Sequence, residues 1–431
     1  MIDRIIGVIE QFNMLERGDH VVIGLSGGAD SVCLAHILMR LKNRYALELT
    51  AVHLNHNIRT VGAVHDMNFV RDFCENHELD LRIFSADVAA IAKENSLTVE
   101  EAGRQQRYLA FESVGGDKIA VAHNLNDNAE TMLMRLCRGT GLKGMGGILP
   151  VRGNIIRPLI MTSRADIEKY CKENGLEYCI DETNLTTDYT RNKIRHCILP
   201  LFEQINPNTM ESLGKNAFLF RQENDYIESM AQKAYEDCAD GNSLLAEKTK
   251  ALEKPLLYRV LRIACENAVG LKDIALEHIE IIEALLDKPS GKKADLPKGL
   301  TVYREYDRLI FAGSTKSIDI ELEFDTPVQI NGRCYMLSEK AGLKDRYYNI
   351  SYGDEATEKW HLRTRQNGDI FNRADGRKIK LKKVFIDKKI PLSQRETALL
   401  LANGENVYWC ACVPNKFKTA DLYLYIWEES N

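Results

Sequence analysis

The feature that most constrains this chain is a pattern repeated through its first half, in which short apolar runs alternate with amphipathic stretches of helical periodicity. Strands that alternate with helices in this way form parallel sheets with crossover helices. In such sheets a ligand binds beyond the carboxyl ends of the strands, so the residues that follow each run are the candidates for chemistry. The four runs are VVIGL (21–25), LTAVHLNH (49–56), LRIFSA (81–86) and KIAVAH (118–123).

The pattern changes twice along the 431 residues, which are too many for one ordinary hydrophobic core. Charged helical patterns replace the α/β pattern near residue 206, and the longest runs from Asn208 toward Cys238. Beyond Asp295, short alternating segments separated by Gly, Asp and Asn are typical of a small α+β domain. We therefore predict three domains, at 1–205, 206–295 and 296–431.

Composition excludes several classes of protein. Hydrophobic residues make up 45% of the chain and charged residues 28%, as in globular proteins rather than disordered ones. No apolar run is long enough to span a membrane, so we expect a cytoplasmic protein. The eleven cysteines are irregularly spaced and form no CxxC pair, so we expect reduced thiols and neither a zinc nor an iron–sulfur site. The oligomeric state does not follow from the sequence, and a homodimer is left open.

The segment Ser26-Gly27-Gly28-Ala29-Asp30-Ser31 lies between the first predicted strand and the helix that follows it. Glycines let backbone N–H groups approach an anion closely, and a helix N-terminus adds partial positive charge. A phosphate site is therefore one interpretation. A tight turn with Ser26 or Asp30 as the helix cap is the other.

Two further clusters carry side chains suited to a nucleotide. His53 begins the string His53-Leu54-Asn55-His56-Asn57-Ile58-Arg59 at the end of the second strand, although a strand histidine is often only a hydrogen-bonded core residue. Arg104, Arg107 and Tyr108 share one face of a predicted helix. That face either is solvated or contacts phosphate or RNA.

Two acids follow the fourth predicted strand. Asp127 and Glu130 are three residues apart, so both can project from the same side of the first helical turn. Acids are also favoured at helix starts by the helix dipole, and Asn126 and Asp127 are good cap residues, so a purely structural role is the alternative. The string Arg138-Gly139-Thr140-Gly141 closes the same helix with a second glycine loop.

These strings together resemble a known family. The loop 26–31 is similar to the pyrophosphate-binding loop of the PP-loop ATP pyrophosphatases. The stretch 122–131 resembles the AHHxDDQAET segment of the lysidine synthetases, with departures at Asn124, Asn126 and Asn128. The strings RPL (157–159), DETN (181–184) and RNKIR (191–195) are also similar to that family. The resemblance implies a Rossmann-like PP-loop domain, a helical domain that contacts tRNA and an α+β carboxy-terminal domain that binds tRNA.

The resemblance also implies roles for individual residues. Asp127 and Glu130 would be catalytic, and Asp30 and Asp127 would hold Mg²⁺. Asn126 stands where the family has an acid, which puts in question any role that needs two adjacent aspartates. The residues implied to bind the ATP substrate are Ser26, Gly27, Gly28, Ala29, Asp30, Ser31, His53, Arg104 and Gly139.

A basic segment lies near the carboxyl end of this acidic chain. Between Arg363 and Arg395 there are eleven Lys or Arg and three Asp, against a net charge of -5 for the whole chain. The segment resembles the tail domain of the longer lysidine synthetases, and nearby Tyr408 and Trp409 either stack on RNA bases or belong to a core. The residues assigned to tRNA contacts are Arg191, Arg195, Lys382 and Lys383.

The implied reaction ligates L-lysine to the wobble cytidine of the CAU anticodon of an isoleucine tRNA. ATP would first adenylate the cytidine, and lysine would then displace AMP. Two alternatives remain. A PP-loop tRNA thiolase would adenylate in the same way but usually needs catalytic or cluster-binding cysteines. The other alternative is a non-enzymatic RNA-binding protein on a degenerate nucleotide fold.

Overall fold

The chain forms two compact units, residues 1–226 and 227–431, and each is considered by itself. The computed structural model describes residues 1–55, 60–179, 190–313, 317–352, 359–414, 417 and 420–428. The prediction of three domains is not tested by this division and stays a prediction.

A six-stranded sheet with the order β3-β2-β1-β4-β6-β5 forms the centre of the first unit. Neighbouring strands run parallel except the β5–β6 pair, which is antiparallel. Val21, Val22 and Ile23 of β1 are fully buried, as expected for a strand with helices on both faces. The strands are β1 (His20–Gly24), β2 (Glu48–Asn55), β3 (Asp80–Ser85), β4 (Lys118–Ala120), β5 (Val151–Arg152) and β6 (Ile155–Ile156).

Helices connect these strands as the sequence pattern predicts. A π-helical turn, Ile194–Ile198, joins α9 to α10, and α11 continues into the second unit. The helices are α1 (Ile2–Gln11), α2 (Ala29–Tyr45), α3 (Thr60–Asn76), α4 (Val88–Glu94), α5 (Val99–Glu112), α6 (Leu125–Cys137), α7 (Leu142–Met145), α8 (Arg164–Glu173), α9 (Thr190–Lys193), α10 (Leu199–Ile205) and α11 (Thr209–Cys238).

The strand order creates a crevice beside β1. The chain leaves β1 toward β2 on one side, whereas β4 pairs with β1 on the other, so the order reverses between β1 and β4. Ligands of parallel sheets bind at such a switch point, beyond the carboxyl ends of the strands. Residues 25–31, after β1, and 121–130, after β4, therefore meet at one edge of the sheet.

The second unit begins with an antiparallel sheet of order β7-β8-β11-β10-β9, packed with helices α12–α14 around one apolar core. The predicted boundary at 295/296 falls between two paired strands of this sheet, β9 and β10. The elements are β7 (Ala239–Asp240), β8 (Ser243–Leu245), α12 (Ala246–Lys250), α13 (Lys254–Val269), α14 (Leu276–Leu286), β9 (Lys292–Asp295), β10 (Thr301–Glu305) and β11 (Arg308–Ala312).

Two more sheets complete this unit, in the orders β12-β16-β19-β20-β17-β18 and β13-β14-β21-β15. The strand-rich tail predicted beyond Asp295 is therefore present. Its elements are β12 (Asp319–Glu321), β13 (Val328–Ile330), β14 (Arg333–Ser338), β15 (Tyr347–Ile350), β16 (Trp360–Arg363), β17 (Ile370–Asn372), β18 (Lys378–Lys380), α15 (Leu381–Asp387), α16 (Leu392–Thr397), β19 (Leu400–Asn403), β20 (Asn406–Cys410) and β21 (Leu422–Glu428). Among the residues that the structure describes, no helix is long and apolar enough to cross a membrane.

Candidate active site

The glycine loop 26–31 is closed by hydrogen bonds of its own serines. The Ser31 hydroxyl donates to the Gly28 carbonyl at 2.9 Å and accepts from the Ser26 backbone N–H at 3.2 Å. Gly27 has φ +93°, a left-handed conformation that other residues rarely adopt, so glycine is needed there for its backbone. Gly28 immediately precedes α2, so the first N–H groups of the 17-residue helix face the loop. This arrangement suits a phosphate.

Asp30 lies in the first turn of α2 and points toward α6 and α8. Its carboxylate accepts hydrogen bonds from Asn124 Nδ2 at 3.0 Å and from an Arg164 guanidinium nitrogen at 2.6 Å. Burial raises the pKa of Asp30, the Arg164 charge opposes this, and repulsion from Asp127 adds to it. The loop and the α6 acids therefore share one electrostatic environment, in which two carboxylates repel each other.

The two carboxylate oxygens of Asp127 have different roles, one in the cap of α6 and one in a contact with Arg191. The helix is capped by Asn124, whose side chain accepts from the Asp127 N–H while Asp127 Oδ2 accepts from the Asn124 N–H, both at 3.0 Å. The cap is thus Asn124 rather than Asn126 or Asp127. Asn126 instead accepts from the Arg164 N–H at 3.0 Å and ties α6 to α8. The remaining Asp127 oxygen bonds Arg191 at 2.7 Å.

Glu130 is completely buried and is bound by two arginines. Its oxygens accept from Arg191 Nε and Arg195 Nε, each at 2.6 Å, with a third bond from Arg195 at 3.2 Å. Burial alone would lower the pKa of Arg191, but Asp127 and Glu130 hold it above its ordinary value. The two arginines, assigned from the sequence to tRNA contacts, direct their guanidinium groups to these acids. Their side chains are 34% and 35% exposed, so part of each still faces solvent.

His53 is a hydrogen-bonded, buried residue, as in the structural interpretation of its pattern. Its Nδ1 lies 2.9 Å from the Leu25 carbonyl, which can only accept, so Nδ1 donates this hydrogen bond. Leu25 directly precedes the glycine loop, so His53 holds the backbone where that loop begins. The strings 56–59 and 181–184 lie outside the described residues.

Positive charge is concentrated around His123. Burial, followed by the charges of Arg157, Arg191, Arg104 and Arg107, lowers the pKa of His123 to about 3. Arg157 Nε donates to His123 Nδ1 at 3.3 Å, which a neutral imidazole can accept. These arginines surround the carboxyl end of β4 with charge suited to a phosphate group.

Arg104 belongs to this group and also lies 5.6 Å from the centre of the Tyr108 ring. Its side chain is exposed, in accord with a contact to nucleotide or RNA. The predicted shared face of α5 is therefore present.

Gly139 lies beyond the carboxyl end of α6. Asp127 lies in the first turn of that helix, and at 1.5 Å per residue the ten steps from Asp127 to the helix end at Cys137 span about 15 Å. Its φ of +78° fits a turn that ends the helix. The prediction that Gly139 contacts ATP gains no support from its position.

Only part of the predicted basic segment is exposed to solvent. Lys382 and Lys383 are exposed on α15, whose buried side faces an apolar cluster. Arg363, in contrast, is buried in a two-bond ion pair with Asp369, at 2.7 and 3.2 Å.

Tyr408 and Trp409 are 2% and 4% exposed and belong to the core of the tail, so stacking on RNA bases was the wrong interpretation. The core interpretation is correct, because both of these consecutive aromatics on β20 are buried in the apolar core of the tail.

Sequence reasoning missed several residues of the site, among them Asn124 and Arg164. Asn124 was noted only as a departure from the family pattern, yet it bridges Asp30 and Asp127. Arg164 reaches Asp30 from 134 residues away. Its local signal, a position after the helix-capping Ser163, places it on a helix but does not indicate its partner.

The crevice, the glycine loop and the paired acids define the class of protein. The family model of the PP-loop domain matches residues 4–202, and that of the TilS substrate C-terminal domain matches residues 360–420. The fold is thus a PP-loop α/β domain followed by helices and a strand-rich carboxy-terminal part, as predicted.

Two relatives show the particular family. The tRNA(Ile)-lysidine synthase of Caldanaerobacter subterraneus subsp. tengcongensis is 36% identical over 95% of this chain and 92% of its own length. The tRNA(Ile)-lysidine synthase of Clostridioides difficile is 34% identical over 94% of this chain and 93% of its own length. The chain belongs to the tRNA(Ile)-lysidine synthase family, which confirms the resemblance and favours the ligase over both alternatives.

Among solved structures, a U34-tRNA thiolase from Methanococcus maripaludis superposes with a TM-score of 0.42 at 19% identity, over 51% of this chain and 78% of that one. A likeness at this level carries no functional information.

Proposed function

We propose that this chain ligates lysine to the wobble cytidine of isoleucine tRNA in two steps, both at the crevice between β1 and β4. The observation that carries the proposal is the Asn124 side chain, which bonds Asp30 of the phosphate loop and caps the helix that bears Asp127. The ATP loop and the acids are thereby connected through one residue.

The first step activates the base. The ring carbonyl oxygen of cytidine attacks the α-phosphorus of ATP, a phosphorus–oxygen bond forms, and the bond to the β-phosphate breaks. The charge that develops on pyrophosphate lies against the loop N–H groups and the N-terminus of α2, where fixed donors stabilise it without reorganisation. His123, held neutral, and its surrounding arginines lie where the adenylyl phosphate would be bound.

The second step requires a deprotonated amine. The ammonium of free lysine has a pKa near 10.4, so it must lose a proton before it attacks the ring carbon and expels AMP. We assign the ammonium contact to Asp127, which is 15% exposed and therefore reachable. Glu130 is 0% exposed with both oxygens bound by arginines, so we assign it to positioning Arg191 and Arg195.

The residues also fit a magnesium ion. Mg²⁺ is usually held by one or two carboxylates together with substrate phosphates, and Asp30 and Asp127 are two carboxylates whose mutual repulsion contributes to the raised pKa of Asp30. When bound there, the ion would neutralise charge on the leaving pyrophosphate. The Asn126 side chain accepts a hydrogen bond from the backbone of α8. The pair of carboxylates formed by Asp30 and Asp127 therefore does not need an acid at position 126.

Contacts to tRNA are assigned to exposed basic groups. Lys382 and Lys383 supply exposed charge in the tail, and the solvent-facing parts of Arg191 and Arg195 can contact phosphates beside the acids. Because its proposed substrate, tRNA, is found in the cytoplasm, we place the protein there. A homodimer stays a hypothesis, which light scattering at two protein concentrations tests.

The two-step order is tested with ATP labelled at the α-phosphate. Incubation of enzyme, ATP and isoleucine tRNA without lysine is expected to leave label on the tRNA. Addition of lysine with unlabelled ATP should then release the label as AMP, one per lysine incorporated. Lysine incorporation that never passes through labelled tRNA would contradict the adenylated intermediate.

A further inference from the structure

A second cluster of metal-binding side chains lies outside the acids of the active site. It consists of His65 and Asp66 on α3 and Cys179, which follows α8. His65 Nδ1 lies 3.6 Å from Asp66 Oδ1 and 3.9 Å from Cys179 Sγ. One ligand atom from each residue lies within 4.8 Å of the others.

The two separations measured from His65 are close to those around a tetrahedral zinc ion. With bonds of about 2.3 Å to sulfur and about 2.1 Å to nitrogen or oxygen, ligand atoms lie roughly 3.4 to 3.6 Å apart. The distances of 3.6 and 3.9 Å differ from this by a few tenths of an ångström. Small rotations of exposed side chains can supply such a change, and His65 and Asp66 are 76% and 43% exposed.

The chemistry of the donors distinguishes this cluster from an ordinary surface ion pair. A His–Asp contact alone would be common, but here a thiol from 114 residues away completes the set. Sulfur, imidazole nitrogen and one carboxylate together favour zinc and its neighbours, whereas Mg²⁺ prefers oxygen ligands alone. No spacing motif links these residues, which is why the sequence did not indicate a zinc site.

The cysteine is also held in place independently of its neighbours in the cluster. The Cys179 N–H donates to the Gly27 carbonyl at 3.0 Å, within the phosphate loop. Its sulfur lies 3.6 Å from the point where a Gly27 Cβ would stand. A rigid backbone contact of this kind lowers the entropic cost of gathering three ligands.

We propose that His65, Asp66 and Cys179 form a binding site for a thiophilic divalent cation of the zinc class, with the fourth position open to water. The site lies against the ATP loop but shares none of its residues. Metal binding is therefore measurable without ATP turnover, and its failure would leave the proposed function untouched.

Titration with Co²⁺, followed by competition with Zn²⁺, tests the proposal on the full chain after chelation and reduction. Wild type is expected to bind one Co²⁺ with a thiolate-to-metal charge-transfer band that Zn²⁺ abolishes. Cys179→Ser should lose that band. Cys137→Ser, at another cysteine that is exposed, should retain it and serves as the matched control.

Two further variants keep the test decisive if Cys179→Ser does not fold. His65→Ala and Asp66→Asn change exposed side chains, and each should weaken Co²⁺ binding by at least the roughly 10- to 100-fold that loss of a ligand's outer partner costs. Absence of the band in wild type, its persistence in Cys179→Ser, or unchanged affinity in both His65→Ala and Asp66→Asn would each overturn the proposal.

Discussion

Replacement of Glu130 by glutamine separates a positioning role from a chemical one. The carboxylate is fully buried and accepts three hydrogen bonds from two arginines, at 2.6, 2.6 and 3.2 Å. Glutamine keeps the shape but removes the charge and turns an N–H₂ group toward guanidinium donors. Removal of one partner of a buried ion pair costs about 3 to 5 kcal/mol. Because both arginines are about one-third exposed, we expect the lower end, about 3 kcal/mol.

Thermal unfolding followed by far-UV circular dichroism measures this loss. For a unit of 226 residues, about 3 kcal/mol corresponds to a fall in Tm of roughly 6 to 12 °C. Glu168→Gln is the matched control, because it removes an exposed partner of Arg164 on α8 and should change stability by less than about 1 kcal/mol. A Glu130→Gln variant that melts like wild type but forms no lysidine would refute the positioning role and return Glu130 to the chemistry.

Three further outcomes are expected. Asp30→Asn should lower lysidine formation by at least about 100-fold without lowering Tm. Folding raises the pKa of Asp30 above 3.8, so the folded protein loses stability as the pH rises from 3.8 through that raised pKa, and the neutral amide removes this loss. A large fall in Tm would contradict this prediction. His123→Gln should make the free energy of unfolding depend less on pH below 6.5. The pKa of His123 falls from 6.5 to about 3 on folding, so between these values only the unfolded chain takes up a proton, and wild type loses about 2 kcal/mol of stability between pH 6.5 and 5. Equal pH profiles of wild type and variant would show that His123 is not held neutral. The double variant Lys382→Ala, Lys383→Ala should weaken tRNA binding and reduce the slope of log Kd against log salt by roughly 1 for each phosphate that it no longer binds. An unchanged slope would show that α15 does not contact tRNA.

The fold was predictable because its determinants are local. The continuous apolar run of β1 could only be a strand buried on both faces, and four such runs separated by helical patterns leave few topologies other than a parallel sheet. The same reasoning placed the loop 26–31 and the stretch 122–131 at one edge, because every parallel strand ends there.

The directions of the charged side chains were not predictable in the same way. Spacing puts Arg191 and Arg195 on one helical face but does not say which way that face turns, and the buried Glu130 attracts both. Asn124 and Arg164 acquire their roles from partners 94 and 134 residues away. Such contacts depend on tertiary packing, which no local pattern encodes.

The central claim is tested most directly by incorporation of labelled lysine into unmodified isoleucine tRNA with a CAU anticodon. Wild type is predicted to incorporate one lysine per tRNA with release of one AMP, and methionine tRNA with the same anticodon is the control substrate. Asp127→Asn, which removes the only charge that we assign to the lysine amine, should abolish incorporation. Absence of lysine uptake by wild type, or full activity of Asp127→Asn, would contradict the account.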